Sequence, residues 1–401
     1  MLQEKEMTVY LDNSATTRQY DEVTDIMIRY MREQFGNPSS LYRPGIDAEK
    51  AVKEARRSLS RAFACGDDEI YFTSGGTESD NTAIFGAAEA GKRRGKRIIT
   101  TAVEHPAVSE AVKRLEESGF EAVYVPVNKD GILDVSALKD AVNEETVLIS
   151  VMTVNNENGV IMPISEIAVF KDAYNREHGT KILLHTDAVQ AFGKMQVLKS
   201  GVDMISVSAH KIHGPKGIGA LYIKKGINIR PYIVGGGQEK HFRSGTENVP
   251  AIAGFGAAAD KAYAALEARM QHIASVRGYL LRGIKEEIED IRVNSVEECG
   301  IRGEENLCCP SVLNISFLGT RGEVVLHTLE QSGIYVSTGS ACSSNKKGKS
   351  PVLTAMGLSE KEIEGAIRFS FSEENTIEEM NYVLAKLKEA VMRFRKLGSF
   401  R

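Results

Sequence analysis

Lys211 stands at the end of a short apolar run. Val202, Met204, Ile205 and Val207 are bounded by Gly201 and by Gly214-Pro215, and Ser206, Ser208, His210 and His213 crowd around the lysine. That length and punctuation predict a buried strand. The polar group then falls at and just beyond its C-terminal end, where open α/β sheets bind ligands. A lysine held neutral there can form a Schiff base with a carbonyl. Taken alone, the stretch also reads as a solvated loop lysine, the ordinary place for that residue type.

Other stretches carry the same signature. Ile70–Thr73 reads as a strand followed by SGGTES and a helix. A glycine turn between strand and helix brings backbone N–H groups and a helix N-terminus up to an anion. The stretch is neither G-x-x-x-x-G-K-[ST] nor G-x-G-x-x-G, so no nucleotide is implied; taken alone, it also reads as a plain tight turn with a Thr N-cap. Further strands end near Glu104-His105, at Asn155–Gly159 and at Thr186-Asp187-Ala188-Val189-Gln190. The residues after Cys342 include Gly348-Lys349-Ser350, but Ser343 replaces the first glycine of a nucleotide loop and no strand directly precedes it. His210 and His213 flank Lys211 and a Gly-Pro pair, which suits a cofactor better than a metal. Cys308-Cys309 lack the other ligands a metal site needs. No metal site is expected.

The elements between these groups alternate strand and helix from residue 70 to residue 211. Alternation predicts a mainly parallel sheet covered on both faces, so the polar strand ends share one edge and can converge on one cleft. Upstream, Asp47–Phe63 is expected as an amphipathic helix with Asp47 as its N-cap, and FGNPSS as a loop. Downstream, GGGQEKHFRSGTEN is a glycine-rich loop. One long alanine-rich helical segment is expected from Val249 to about Ile288, linking the large domain to a smaller α+β C-terminal one.

Composition is that of a globular protein, 42% hydrophobic and 26% charged over 401 residues. A net charge of −4 argues against a dedicated nucleic-acid binder or a membrane-surface protein. No apolar run approaches the roughly eighteen residues of a membrane span. The start, MLQEKEMTVYLDNSATT, has no secretory h-region. Five cysteines without C-x-x-C spacing fit a reduced, cytoplasmic setting better than a disulfide framework.

A lysine, an aspartate, a phosphate cup and a histidine at strand ends match the needs of pyridoxal 5'-phosphate. Lys211 would hold the aldehyde and Asp187 would pair with the pyridine nitrogen, keeping the ring an electron sink. Gln190 could reach the ring hydroxyl. Gly76, Thr77, Ser208 and His210 could bind the phosphate, and His105 could stack on the ring and move protons.

Through these residues and their surrounding motifs, the chain resembles the class V family of PLP-dependent enzymes, and within it the cysteine desulfurases of the NifS/IscS type. The likeness covers nearly the whole chain through YLDNSATT, FGNPSS, FTSGGTES, EHPAV, VNNENG, HTDAVQ, SAHKIHGPKGIGALY, GGGQE, RSGTEN, GSACSS and IRFSF, in one order. It implies a PLP-dependent transferase type I fold, with residues 15–262 as the large PLP-binding domain. Residues 1–14 and 263–401 would form the small domain carrying the cysteine loop. It implies PLP on Lys211, His105 stacked over it, and Thr246 reaching the phosphate of a neighbouring subunit in a homodimer. Asn156 and Arg368 would hold the carboxylate of L-cysteine, and Cys342 would be the sulfur-accepting nucleophile. The persulfide would pass to an acceptor protein, an iron–sulfur scaffold or a tRNA-thiolation enzyme. GSACSS resembles the long-loop group; the basic NKKGKSP after it and Asn158 in NNENG depart from the family pattern. A selenocysteine lyase, a class V aminotransferase or a silent scaffold of the same fold are the alternatives, and Lys211 together with Cys342 argues for the desulfurase.

Overall fold

A computed structural model of the chain describes residues 7–198, 200–299, 307–338 and 349–396. Cys342, with Lys346 and Lys347, lies outside the described residues. The strands are β1 (Val9–Tyr10), β2 (Ile70–Thr73), β3 (Arg97–Thr101), β4 (Glu121–Val125), β5 (Thr146–Ser150), β6 (Leu183–Asp187), β7 (Met204–Ser208), β8 (Gly219–Ile223), β9 (Ile291–Val293), β10 (Val312–Phe317), β11 (Ile334–Tyr335) and β12 (Ala366–Ser370). The helices are α1 (Asp21–Arg32), α2 (Arg43–Phe63), α3 (Gly76–Gly91), α4 (Pro106–Glu117), α5 (Val135–Ala141), α6 (Ile164–His178), α7 (Val249–Ala264), α8 (Leu266–Glu287), α9 (Gly322–Glu330), α10 (Pro351–Ala355), α11 (Glu360–Glu364) and α12 (Ile377–Lys396).

Among the described residues one sheet has the order β2-β8-β7-β6-β5-β3-β4, and β8 alone runs antiparallel to its neighbours. Successive strand residues face opposite sides. Ile98, Leu148, Leu183 and Met204 pack with α3 and α4 on one face. Ile99, Ile149, Leu184 and Ile205 enter the other core. Two-sided burial is why these strands read as continuous apolar runs. The fold is the type I architecture expected of the PLP-dependent transferases.

Strands β9, β10 and β12 form an antiparallel three-stranded sheet in the order β12-β10-β9. β1 pairs in parallel with β11. The chain then crosses to β12, where Ser14 N–H donates to Ser370 Oγ at 2.8 Å and Asn13 Nδ2 donates to Ser370 O at 2.9 Å. The polar loop after β1 is thereby carried between the two sheets.

Two expectations are corrected here. The long helix from Val249 is two helices, broken at Ala265 (φ −133°, ψ 37°). Arg269 Nη1 donates to Ala262 O at 2.7 Å and to Gly193 O at 3.2 Å, so a guanidinium satisfies a carbonyl that continued helix would have used. The helix expected at Asp47 starts at Arg43 after Tyr42, which offers no side-chain cap, with Pro44 in the first turn. Proline's fixed φ suits that position.

The spacing of β6 and β7 rests partly on a buried ion pair. Lys171 Nζ on α6 lies 2.9 Å from Asp203 Oδ2 and 2.7 Å from Asp172 Oδ1. Asp203 Oδ2 also accepts Leu184 N–H at 2.8 Å. Removing one partner of a buried pair leaves an uncompensated charge. Lys171→Met is therefore expected to cost about 3–5 kcal/mol, read as a lower urea midpoint; an unchanged midpoint would show that the pair does not hold these strands.

Candidate active site

The C-terminal edge of the sheet gathers most of the predicted residues. Lys211 follows β7 in a single turn of 3-10 helix, Ala209–Lys211. Its Nζ donates to Ala15 O at 2.8 Å and to Ser14 O. Gln190 Nε2 donates to the same Ser14 O at 3.0 Å. Asp187 ends β6 one strand away, with Oδ1 accepting Val189 N–H at 2.9 Å.

The glycine turn forms one wall of a cavity of about 450 Å³, lined by Ala15, Gly75, Gly76, Thr77, Ser208, His210 and Lys216 among others. Gly75 has φ +155°, a conformation that favours glycine. A Cβ on Gly76 would stand 2.7 Å from Val189 Cγ2, so both glycines are needed for the turn to close against the loop after Asp187. The side chain of His210 reaches Thr16 Oγ1 at 3.2 Å, and burial together with the nearby Lys211 and Lys216 pushes its pKa down to about 4. A neutral imidazole, backbone N–H groups and the Lys216 ammonium make a cup for an anion. A larger cavity, about 550 Å³ between Phe85, Arg114 and Tyr232, holds none of the predicted residues.

Charge is unevenly distributed behind this cup. Burial raises Asp187 above the usual carboxylate range, while His105, Val189 N–H and Lys211 pull it back. Asp80 is fully buried and raised well above that range, by burial first and by Asp187 second, and its Oδ1 has no hydrogen-bond partner among the described residues. Glu104 is pushed up to about 8 by burial, against hydrogen bonds from Met152 N–H and Thr101. His185 lies between Ser150 Oγ and Ser206 Oγ, 2.9 Å from each, and burial holds it neutral with a pKa of about 3.

His105 caps α4, and its Nδ1 accepts Ala107 N–H at 3.1 Å. That bond assigns the proton of the neutral ring to Nε2. Burial, partly offset by Asp187, lowers its pKa. In this geometry His105 offers Nε2–H as a donor; acting as a base would require the proton on Nδ1 and loss of the cap.

On the other side, β12 supplies Arg368, 2% exposed. Its Nη1 donates to Asn156 O at 3.0 Å and its Nη2 to Asp12 Oδ1 at 2.8 Å, while Nε has no partner among the described residues. Arg368 and Asn156 thus meet, through the backbone of Asn156. Just beyond β12, Glu373 receives Arg269 Nη2 at 3.0 Å, His213 Nε2 at 3.5 Å and the Tyr20 hydroxyl. Burial alone would raise Glu373, but hydrogen bonds from His213 and Arg269 hold it well below the usual range. This contact ties the small sheet to the Lys211 loop.

Thr246 is exposed and is not among the residues lining the phosphate cup of its own chain. Its loop is nonetheless fixed beside the cup, because Arg243 Nε bonds Glu78 Oε1 at 2.8 Å. Sequence reasoning missed Asp12, Lys216, Glu104, Asp80 and the Ser14 and Ala15 carbonyls. DNSATT and GPKG fall within the family-like motifs, a signal that marks Asp12, Ser14, Ala15 and Lys216 without giving them roles.

The residues fit pyridoxal 5'-phosphate. Ser14 Oγ is buried beside the Lys211 amine, without a partner among the described residues, and the donor set offers an amine, a carboxylate and an anion cup in one place. The family model of aminotransferase class-V matches residues 9–383, and the chain belongs to that family. It is 42% identical over 392 residues to cysteine desulfurase IscS of Clostridium botulinum (strain Hall), covering 97% of this chain and 96% of the relative. A solved NifS-like protein is 39% identical with a TM-score of 0.88, covering 96% of this chain and 100% of that one. The structure described as SspA in complex with cysteine is 31% identical with a TM-score of 0.76, over 91% and 99% of the two chains.

Glu157 was also not foreseen. It is buried next to Asn156, accepts Ser350 Oγ at 2.5 Å, and burial raises its pKa to about 7 against that bond and Arg368. The folded chain therefore retains a proton that the unfolded chain releases at lower pH. Its contribution to stability falls as pH rises from about 4.5 through about 7, by roughly 3 kcal/mol at most. Glu157→Gln keeps an acceptor for Ser350 and should flatten that part of a melting-temperature profile against pH; a profile parallel to wild type would contradict a buried neutral carboxyl.

Proposed function

We propose that the protein is a cysteine desulfurase that uses pyridoxal 5'-phosphate to move sulfur from L-cysteine to Cys342, leaving L-alanine. The observation that carries the reading is the meeting of Lys211, Asp187 and the Gly75–Thr77 cup at one sheet edge. Similarity over nearly the whole chain to proteins named cysteine desulfurase supports it. When bound, the cofactor supplies an electron sink for the pair left at the substrate Cα.

The chain's own residues do the rest. Lys211 Nζ would hold the aldehyde and, once released, carry the Cα proton. Gly76, Thr77, Ser208 and His210 would hold the phosphate, with Lys216 adding positive charge. Asp187 and Gln190 would fix the ring, and His105 would cover it and donate from Nε2. Arg368 would bind the substrate carboxylate by a charge-assisted contact, exchanging part of its bond to Asp12, with Asn156 beside it. The Cys342 thiolate attacks the substrate sulfur. The balance is L-cysteine plus the Cys342 thiol giving L-alanine plus a Cys342 persulfide.

The working unit in this reading is a homodimer, in which Thr246 of one subunit completes the phosphate cup of the other. The acceptor is a partner protein of iron–sulfur assembly or tRNA thiolation, and the setting is cytoplasmic. Among the described residues no helix is long and apolar enough to cross a membrane.

Two measurements test this. Mass spectrometry after incubation with L-cysteine should find an adduct of about +32 Da, one sulfur on a thiolate, on the peptide containing Cys342. Cys342→Ser should keep the yellow cofactor absorbance and lose nearly all alanine formation; an adduct on Cys65 or Cys309 instead would overturn the relay. Lys211→Ala should lose both the absorbance and turnover, and normal alanine production by that variant would refute the cofactor assignment.

A further inference from the structure

Cys299 and Cys308 are joined by a disulfide, with Cα atoms 4.9 Å apart across nine residues of sequence. This departs from the reduced thiols expected of the sequence. Cysteine connectivity cannot be deduced from spacing alone, and here two separately anchored segments bring the pair together.

Each half of the bond is tied to a different part of the molecule. The Cys308 side pairs with the hairpin that carries Asn156. Ile161 N–H donates to Leu307 O at 3.0 Å, Cys309 N–H donates to Gly159 O at 2.8 Å, and Val160 bridges Cys308. The hairpin closes through Asn155 N–H to Val160 O at 2.9 Å, and its tip presents Asn156 O to Arg368. The Cys299 side is held by helix α8. Arg277, 2% exposed, donates from Nη2 to Val296 O at 2.6 Å and from Nη1 to Glu297 O at 2.9 Å. Access is from the Cys299 side, which is partly exposed; Cys308 is buried and borders a cavity of about 230 Å³ between Ile161, Lys194, Met195 and Met270.

We propose that Cys299 and Cys308 form a thiol–disulfide modification site for small thiols and disulfides, and that its state sets how firmly the Asn156 hairpin is held against Arg368. The effect on substrate rests on the desulfurase reading above. In the oxidising direction the Cys299 thiolate attacks a low-molecular-weight disulfide and one thiol leaves. The Cys308 thiolate then attacks the Cys299 sulfur and the second thiol leaves. Two protein thiols are oxidised and one small disulfide is reduced to two thiols; a small dithiol reverses the exchange. With the bond closed, the α8 anchor and the hairpin are one rigid body. With it open, the hairpin keeps its backbone pairing and the contacts of Ser350 and Asn314 to Glu157 but loses its covalent tie to the α8 anchor, and the substrate carboxylate site loosens.

The test uses the wild-type holoenzyme equilibrated in buffers of varied reduced and oxidised glutathione, acid-quenched, alkylated and peptide-mapped. After the buffer is removed, L-cysteine binding to each form is read from the change in cofactor absorbance immediately on rapid mixing, before turnover and before the substrate thiol exchanges with the disulfide. The expected result is a Cys299–Cys308 cross-linked peptide that titrates with the glutathione ratio. The open form should need at least about five times more L-cysteine for half-saturation, the lower end of ordinary coupling between sites. Cys308→Ser should bind like the open form in every buffer, and the wild-type comparison decides the matter if that variant does not fold. Absence of the cross-link in all buffers, a cross-link to Cys309 instead, or equal L-cysteine binding by the two forms would overturn the proposal. Because binding is read separately from sulfur transfer, a failure of the desulfurase reading would show as normal binding without a Cys342 adduct.

Discussion

The Asp187 carboxylate is buried at the end of β6, and the site is arranged around the cost of keeping it charged. Two more carboxyls, Asp80 and Glu104, are fully buried nearby. Like charges at close range in a low dielectric cannot all be ionised. Burial raises all three above the usual carboxylate range, and of the three only Asp187 has His105 and Lys211 pulling it back towards the charged form. The negative charge is therefore concentrated where the pyridine nitrogen of a cofactor would meet it. Parallel strand order fixes that position, because Asp187 pairs with Ser206 on β7 and β7 leads directly to Lys211.

The two sheets are joined by a few charged contacts. Arg269 breaks the α7–α8 helix by taking Ala262 O, and the same guanidinium holds Glu373. Glu373 in turn touches His213, two residues after Lys211. Arg368, on the strand just before Glu373, reaches the Asn156 hairpin and Asp12. The separation between Lys211 and the Arg368 guanidinium is thus set by side chains that bridge the sheets.

Much of this arrangement is legible in the sequence. Alternating strands and helices put His105, Asn156, Asp187 and Lys211 at strand ends, and parallel order does the rest. The spacing of strand, glycine turn and helix over residues 70–91 suits an anion cup, but alone it also suits a plain tight turn, and only its convergence with the other strand ends separates the two. What stays hidden has physical reasons. Ser14 and Ala15 act through backbone carbonyls, which leave no side-chain signature. Arg269 looks like an ordinary residue of a helix face until its target carbonyls are known. Glu157 and Asp80 look like solvated acids, because their burial depends on tertiary packing. The Cys299–Cys308 pairing depends on where Arg277 and the Asn156 hairpin hold the chain. Asp12 sits beside Arg368 only because the chain after β1 bridges to β12 at Ser370, a contact between residues 356 apart.

In the proposed reaction a charged Asp187 keeps the bound cofactor an electron sink. The direct test is exchange of the Cα hydrogen of L-alanine, the product, in deuterated water, followed by NMR for wild-type and Asp187→Asn holoenzymes of equal cofactor content. In the proposed reaction, exchange requires removal of the Cα proton by Lys211 and storage of the electron pair, and it bypasses Cys342 altogether. Ready exchange is expected in the wild type and exchange at background in Asp187→Asn. Equal exchange in the two proteins would contradict it.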